Sequence, residues 1–182
     1  MKEVVLTPKE QPAVGLEAES ISPDVFAGKT SAEIGQLRVY EGKVERSLGD
    51  FFKVSGDAGA SADETRIVIE GDVKKTKRIG QGMTAGEILI RGSAGMHLGS
   101  KMRGGTITVE GDVDAFACQE MRGGEVHIKG NAGSYLGAAY RGNWRGMRGG
   151  TITVDGSVGS EMGTFMRGGK IVVKGDAGMF AG

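Results

Sequence analysis

The chain is short of the residues that carry chemistry. Its 182 residues include a single cysteine, Cys118, and only two histidines, His97 and His127. One thiol cannot close an internal disulfide or ligate an iron–sulfur cluster by itself. It lies in a turn, AFACQE, where a small buried residue is the expected role. Neither histidine has a second at metal-ligand spacing, and no Ser/His/Asp set is apparent. The 23 basic and 23 acidic residues cancel, which removes the bulk electrostatic case for nucleic acid or a membrane surface. No apolar run is long enough to span a bilayer. The opening MKEVVLTPKE lacks the apolar core of a secretory signal, so a cytoplasmic protein is expected. The residues therefore nominate no catalytic, cofactor-binding or metal-ligating side chain.

What is abundant is glycine, 34 residues of it, and it is periodic rather than scattered. Six near-copies of one phrase run down the chain: TRIVIEGDV, GEILIRGSA, GTITVEGDV, GEVHIKGNA, GTITVDGSV and GKIVVKGDA. Five follow a glycine-rich lead-in, anchored by Met83, Met102, Met121, Met147 and Met166 at intervals of 19, 19, 26 and 19 residues. The MRGG lead-ins precede no helix and contain no GK[ST], so a phosphate loop is rejected. Within each phrase branched residues alternate with period two, the mark of a short half-buried strand. A glycine follows at a fixed offset, at positions 71, 92, 111, 130, 156 and 175, permitting a positive φ or a close backbone approach.

Self-similarity near twenty residues predicts a solenoid. The expected fold is all-β: a single-stranded right-handed parallel β-helix of about 19-residue coils, with an irregular N-terminal segment. Like residues then stack as columns about 4.8 Å apart. The methionines are expected to fill the core. The residues before the corner glycines, Glu70, Arg91, Glu110, Lys129, Asp155 and Lys174, alternate in sign and read as a solvated register device.

Two features point outward. Arg103, Arg122, Arg148 and Arg167 form a column of one sign, with Thr84 at the equivalent first position. Unit charges about 5 Å apart repel by roughly 1 kcal/mol in water. Local carboxylates, solvent or an acidic partner surface must offset that. The long interval carries AAYRGNWRG between Gly137 and Met147, and insertions in repeat proteins map to loops on one face. It holds Tyr140, Arg141, Trp144 and Arg145, types enriched at interface hot spots. Trp144 either meets a partner or folds back over its own repeat. The four column arginines and these four residues are the candidate partner interface.

Residues 1–64 do not repeat and hold all three prolines, Pro8, Pro12 and Pro23. An extended arm to about Pro23 is expected, then a short helix from the capping box Thr30-Ser31-Ala32-Glu33, with LRVYEG and FFKVSGDAG as strands. The expected division is an arm and cap over 1–64 and repeats over 65–182, truncated or open at the C-terminal end.

Several stretches carry a family resemblance: LTPKEQP at 6–12, PDVFAGK at 23–29, LGDFF at 48–52, RIGQGMTAGEI at 78–88, YRGNWRGMRGGTI at 140–152 and MRGGKIVVKGD at 166–176. With them the chain resembles the C subunits of formylmethanofuran dehydrogenases of methanogenic archaea. It is similar also, through GXGXG-type glycine-rich repeats, to the C-terminal domain of the glutamate synthase large subunit. The methylotrophs' formyltransferase/hydrolase complex has a similar C subunit too, though LTPKEQP and DFF fit the dehydrogenase better. The family's chains usually continue beyond position 182. The resemblance implies a cytoplasmic oxidoreductase complex that reduces carbon dioxide to formylmethanofuran in methanogenesis. It places a molybdenum or tungsten pterin and iron–sulfur cluster in one partner subunit and a binuclear metal site in an amidohydrolase-like one. Ferredoxin-like subunits would deliver electrons. This chain would be a noncatalytic scaffold among them, with no cofactor of its own, no nucleic acid and no membrane.

Overall fold

In the computed structural model, which describes residues 1–181, each of the six phrases forms a strand. They are β6 (Thr65–Ile69), β8 (Glu87–Ile90), β9 (Thr106–Val109), β10 (Glu125–Ile128), β11 (Thr151–Val154) and β12 (Lys170–Val173). Each pairs in parallel with the strand of the next repeat, and like residues face like: Ile88 meets Ile67 and Ile107, and Ile128 meets Val109 and Val154. The alternation has its physical counterpart. Ile67, Ile69, Ile88, Ile90, Ile107, Val109, Ile128, Ile152 and Val154 are essentially inaccessible, and Thr108, His127 and Thr153 are half-exposed.

The expected all-β, single-stranded parallel β-helix is corrected by the rest of the chain. The architecture is mixed α/β, with two mixed sheets of eight and four strands. Residues 1–64 contribute β1 (Lys2–Pro8), β2 (Leu16–Glu17), β3 (Arg38–Glu41), β4 (Val44–Ser47) and β5 (Phe52–Ser55). They also supply three short helices, α1 (Pro23–Phe26), α2 (Ser31–Gly35) and α3 (Leu48–Phe51), and a 3-10 turn at Ala62–Glu64. The larger sheet runs β12-β11-β10-β9-β8-β6-β1-β5, with β1 parallel to β6 and antiparallel to β5. The smaller runs β4-β3-β2-β7, where β7 is Thr76–Lys77, and its β3–β4 pair is antiparallel. The physical reason lies in β1: its Val4 and Leu6 are fully buried against Ile67 and Ile69. Periodicity reports only the part of a chain that repeats, and here the non-repeating part pairs into the same sheet.

Local signals in this segment behave as their chemistry dictates. Thr30 caps α2 with its side chain on the Glu33 amide while Glu33 returns to the Thr30 amide, a complete capping box. Asp24, in the first turn of α1, accepts hydrogen bonds from the Thr84 amide (2.9 Å) and the Thr84 hydroxyl. That contact ties α1 to the first lead-in, whose Thr84 stands where later lead-ins carry arginine.

Three further columns bind the repeats together. After each corner glycine stands a short polar side chain, and the first five take the amide one repeat on. Asp72 accepts from the Ser93 amide (2.8 Å), Ser93 from Asp112 (2.9 Å), Asp112 from Asn131 (2.8 Å), Asn131 from Ser157 (2.8 Å) and Ser157 from Asp176 (3.0 Å). Each satisfies a backbone donor at a net gain of about 1 kcal/mol. Val73, Ala94, Val113, Ala132, Val158 and Ala177 then form successive parallel bridges, large alternating with small. The buried methionines supply the third column. A Cβ on Gly105, Gly124, Gly150 or Gly169 would lie 2.7 Å from the Cε of Met83, Met102, Met121 or Met147, so each methionine fills the space its glycine leaves.

The sign-alternating column is partly paired. Arg91 meets Glu70 at 3.2 Å and Lys174 meets Asp155 at 3.1 Å, both at the surface where such pairs contribute up to about 1 kcal/mol.

Candidate functional site

The MRGG turns place the arginine column. Each arginine amide donates to the methionine carbonyl one repeat back: Arg122 to Met102, Arg148 to Met121 and Arg167 to Met147, at 2.7–2.8 Å. The ladder fixes the backbone positions, and all four guanidinium-bearing side chains are exposed. Among the described residues Arg103, Arg122, Arg148 and Arg167 form no ion pair within 4.0 Å.

The insert divides its residues between two places. Trp144 is not buried and remains 53% exposed. Its ring is held between two cations, the Arg145 guanidinium at 4.4 Å and that of Arg167 at 4.5 Å. Such contacts are worth about 0.5–1 kcal/mol each at exposed sites and hold the ring outward. Tyr140 turns the other way. Its hydroxyl meets the Ser100 hydroxyl, its ring carries the Lys101 ammonium at 5.1 Å, and its amide donates to buried Glu120 at 3.0 Å.

Tyr140 thereby joins a group that inspection of the sequence missed. His97, Phe116 and Tyr135 occupy one corner position in successive repeats, each with φ between 61 and 64°. Their rings stack, with centroids 5.2 Å apart at both steps and planes within 17°. The Tyr140 ring lies nearly parallel to His97 at 6.2 Å. Behind them Gln119, 2% exposed, donates from Nε2 to the Ala139 carbonyl (3.3 Å), which turns its Oε1 toward His97 Nδ1 at 3.0 Å. Nδ1 is therefore the protonated nitrogen of neutral His97. Burial first, and the Arg78 guanidinium next, push His97 below the ordinary imidazole range, against the pull of the Gln119 hydrogen bond. A cavity of about 450 Å³ opens beside this stack, lined by Phe116, Gln119, Tyr135, Ala139 and Arg141.

The other titratable residues have structural occupations. His127 Nε2 sits 3.0 Å from both Asp155 oxygens, and its hydrogen bond, followed by that of Lys174, holds Asp155 below the usual carboxylate range. Cys118 is fully buried, and desolvation pushes its thiol up to about 12. Among the described residues no group of three His, Cys, Asp or Glu side chains is placed to hold a metal ion, and no helix is long and apolar enough to cross a membrane. At pH 8 a thiol of that pKa presents on the order of one thiolate in ten thousand. Ellman's reagent should therefore leave the native chain unlabelled over an hour and release one equivalent once guanidinium is added. Prompt release from the folded chain would contradict the burial.

No family model matches the chain. Individual relatives do. The C subunit of the tungsten-containing formylmethanofuran dehydrogenase 2 of Methanothermobacter thermautotrophicus is 56% identical over 100 residues, 55% of this chain and 37% of that protein. The chain is similar in sequence to the C subunits of formylmethanofuran dehydrogenases. That of the molybdenum-containing dehydrogenase 1 of Methanosarcina barkeri is 52% identical over 98 residues, 54% of this chain and 33% of that protein. The matched stretch thus spans about a third of the length of these dehydrogenase proteins. Among solved structures, a chain of the formyltransferase/hydrolase complex of Methylorubrum extorquens, crystallised with methylofuran, superposes with a TM-score of 0.85 at 29% identity. The superposition covers 94% of this chain and 63% of that one.

Proposed function

We propose that the chain is a noncatalytic, cytoplasmic scaffold of a formylmethanofuran dehydrogenase, docking the subunits that reduce carbon dioxide and form formylmethanofuran. The observation that carries it is the 52–56% identity to the C subunits of tungsten and molybdenum dehydrogenases. The surface supports it. Four guanidinium groups in line, ending on an exposed tryptophan clamped between Arg145 and Arg167, suit an acidic partner face. Desolvated Trp and Arg anchors are the side chains from which interfaces draw most of their affinity. In this reading Arg103, Arg122, Arg148, Arg167, Trp144 and Arg145 contact partners directly, Tyr140 braces the insert through the Ser100 hydroxyl and buried Glu120, and residues 1–64 cap the repeats of 65–182. The pterin metal, the iron–sulfur clusters and the binuclear site belong to neighbours: a pterin subunit, an amidohydrolase-like subunit and ferredoxin-like subunits.

The test is recovery of the complex from native extract on the tagged chain, with metal analysis and an assay of formylmethanofuran oxidation. Wild type should bring down tungsten or molybdenum with iron and the activity. Arg122→Glu with Arg148→Glu should cut that recovery at least about tenfold, and Trp144→Ala should cut it with little change in melting temperature. Oxidation of formylmethanofuran by the isolated chain would refute the scaffold role. The structural likeness to the formyltransferase/hydrolase complex favours one alternative, a transferase assembly without redox chemistry. A recovered complex free of molybdenum and tungsten would decide for it.

A further inference from the structure

We propose that the cavity beside the His97–Phe116–Tyr135 stack is a binding site for a planar aromatic anion, an arene carrying a carboxylate or similar group. At about 450 Å³ it falls within the range of small-molecule sites, roughly 300–1,000 Å³. Its aromatic wall is set by the backbone. Phe116 and Tyr135 stand at corner positions with φ of 64 and 63°, and their rings are locked 5.2 Å apart. A wall that is already ordered costs little to engage. The stack also stops short. The corner position after Tyr135 is Glu161, so no ring follows Tyr135, which is left 38% exposed at the cavity.

Polar groups complete the specificity. Gln119 spends its Oε1 on His97 and one Nε2 hydrogen on Ala139, leaving the second amide hydrogen for a ligand acceptor. Arg141 is exposed, lines the cavity, and pairs with no carboxylate among the described residues. The nearby acids are engaged elsewhere. Glu120 is buried and accepts from the Tyr140 amide, and Glu161 accepts from the Thr164 hydroxyl at 3.0 Å. Flat apolar walls, one spare donor and one free guanidinium select a ring with an anionic edge over a neutral one. Of the candidate interface residues the site uses only Arg141, and Trp144 and the arginine column take no part in it.

The experiment titrates 2-naphthoate, and separately neutral 2-naphthamide, into the purified 182-residue chain and follows ligand NMR. Naphthoate should bind saturably, one per chain, with Kd on the order of 1 mM or tighter. Arg141→Gln should weaken naphthoate about fivefold to tenfold and leave naphthamide unchanged. Tyr135→Ala should weaken both about tenfold, whereas Tyr135→Phe, which keeps the stack, should retain both. Trp144→Ala should change neither. No saturable binding to wild type overturns the proposal, as does naphthoate affinity indifferent to Arg141→Gln in a variant whose circular dichroism matches wild type.

Discussion

Replacing Gly124 by alanine should cost about 3 kcal/mol of stability, while the same change at Gly142 should cost about 1 kcal/mol. Both glycines have nearly the same left-handed backbone, φ of 87 and 85°. What differs is what a methyl group would meet. At Gly142 there is no atom within 4 Å, so only the intrinsic penalty of an L-residue in that conformation applies. At Gly124 the added carbon would stand 2.7 Å from Met102 Cε and 2.8 Å from the Gly105 carbonyl oxygen. The methionine is fully buried and the carbonyl accepts the Glu125 amide, so neither withdraws without losing packing or a hydrogen bond. For a chain of this size the difference corresponds to a melting temperature lower by several degrees, about 2–4 °C per kcal/mol. Thermal unfolding of the two variants beside wild type checks it. Equal shifts would mean that backbone conformation alone, and not the close stacking of repeats, requires glycine here.

How far the sequence discloses this depends on whether a feature repeats in kind. The strands β8 to β11 were legible because a branched residue falls at every second position and those residues are the buried ones, while in β12 the same positions, Ile171 and Val173, are half-buried. The corner glycines were half legible. Of the six, only Gly71 has a positive φ; the others are needed because neighbouring backbone crowds them, as a Cβ on Gly92 would lie 2.5 Å from the Gly71 carbonyl carbon. The fold class was not legible from the repeats, since β1 and β5 enter the large sheet from outside them and the β2–β3–β4–β7 sheet has no repeat signal at all. A signal existed: VVL in β1 is a short apolar run with a proline two residues beyond it, a strand ending on Pro8.

The site shows the same division. Exposure of the arginine column followed from its spacing, but the clamp on Trp144 did not, because Arg167 lies 23 residues further on and reaches the ring only through the path of the insert. His97, Phe116 and Tyr135 share one 19-residue register, yet three different residue types do not look like a column until their rings are seen to stack. The acceptor ladder of Asp72, Ser93, Asp112, Asn131, Ser157 and Asp176 was equally available. Every corner glycine is followed by a short side chain that can take an amide, and only that shared capacity unites Asp, Ser and Asn.

The second large effect should come from Met121→Ala, about 3 kcal/mol, against less than about 1.5 kcal/mol for Met121→Leu. Met121 is fully buried and its Cε lies where a Cβ on Gly150 would come within 2.7 Å. Truncation removes three side-chain atoms and leaves a void that the flanking repeats cannot close. Their spacing is held by the Arg148 amide on the Met121 carbonyl and the Arg122 amide on the Met102 carbonyl, both 2.8 Å. Met166, half-buried in the chain as described, should cost about 1 kcal/mol when truncated the same way. Urea midpoints at unchanged slope separate these values, and equal losses at Met121 and Met166 would show that the column is not the packed interior. A double variant tests the pairing itself. Gly150→Ala alone forces its methyl against Met121, so in a Met121→Ala background the same methyl enters the void and relieves part of both defects. The combined loss should fall short of the sum by about 1 kcal/mol, as expected for residues in contact. Simple additivity would mean that methionine and glycine fill separate spaces, and the close stacking of one repeat on the next would then need another cause.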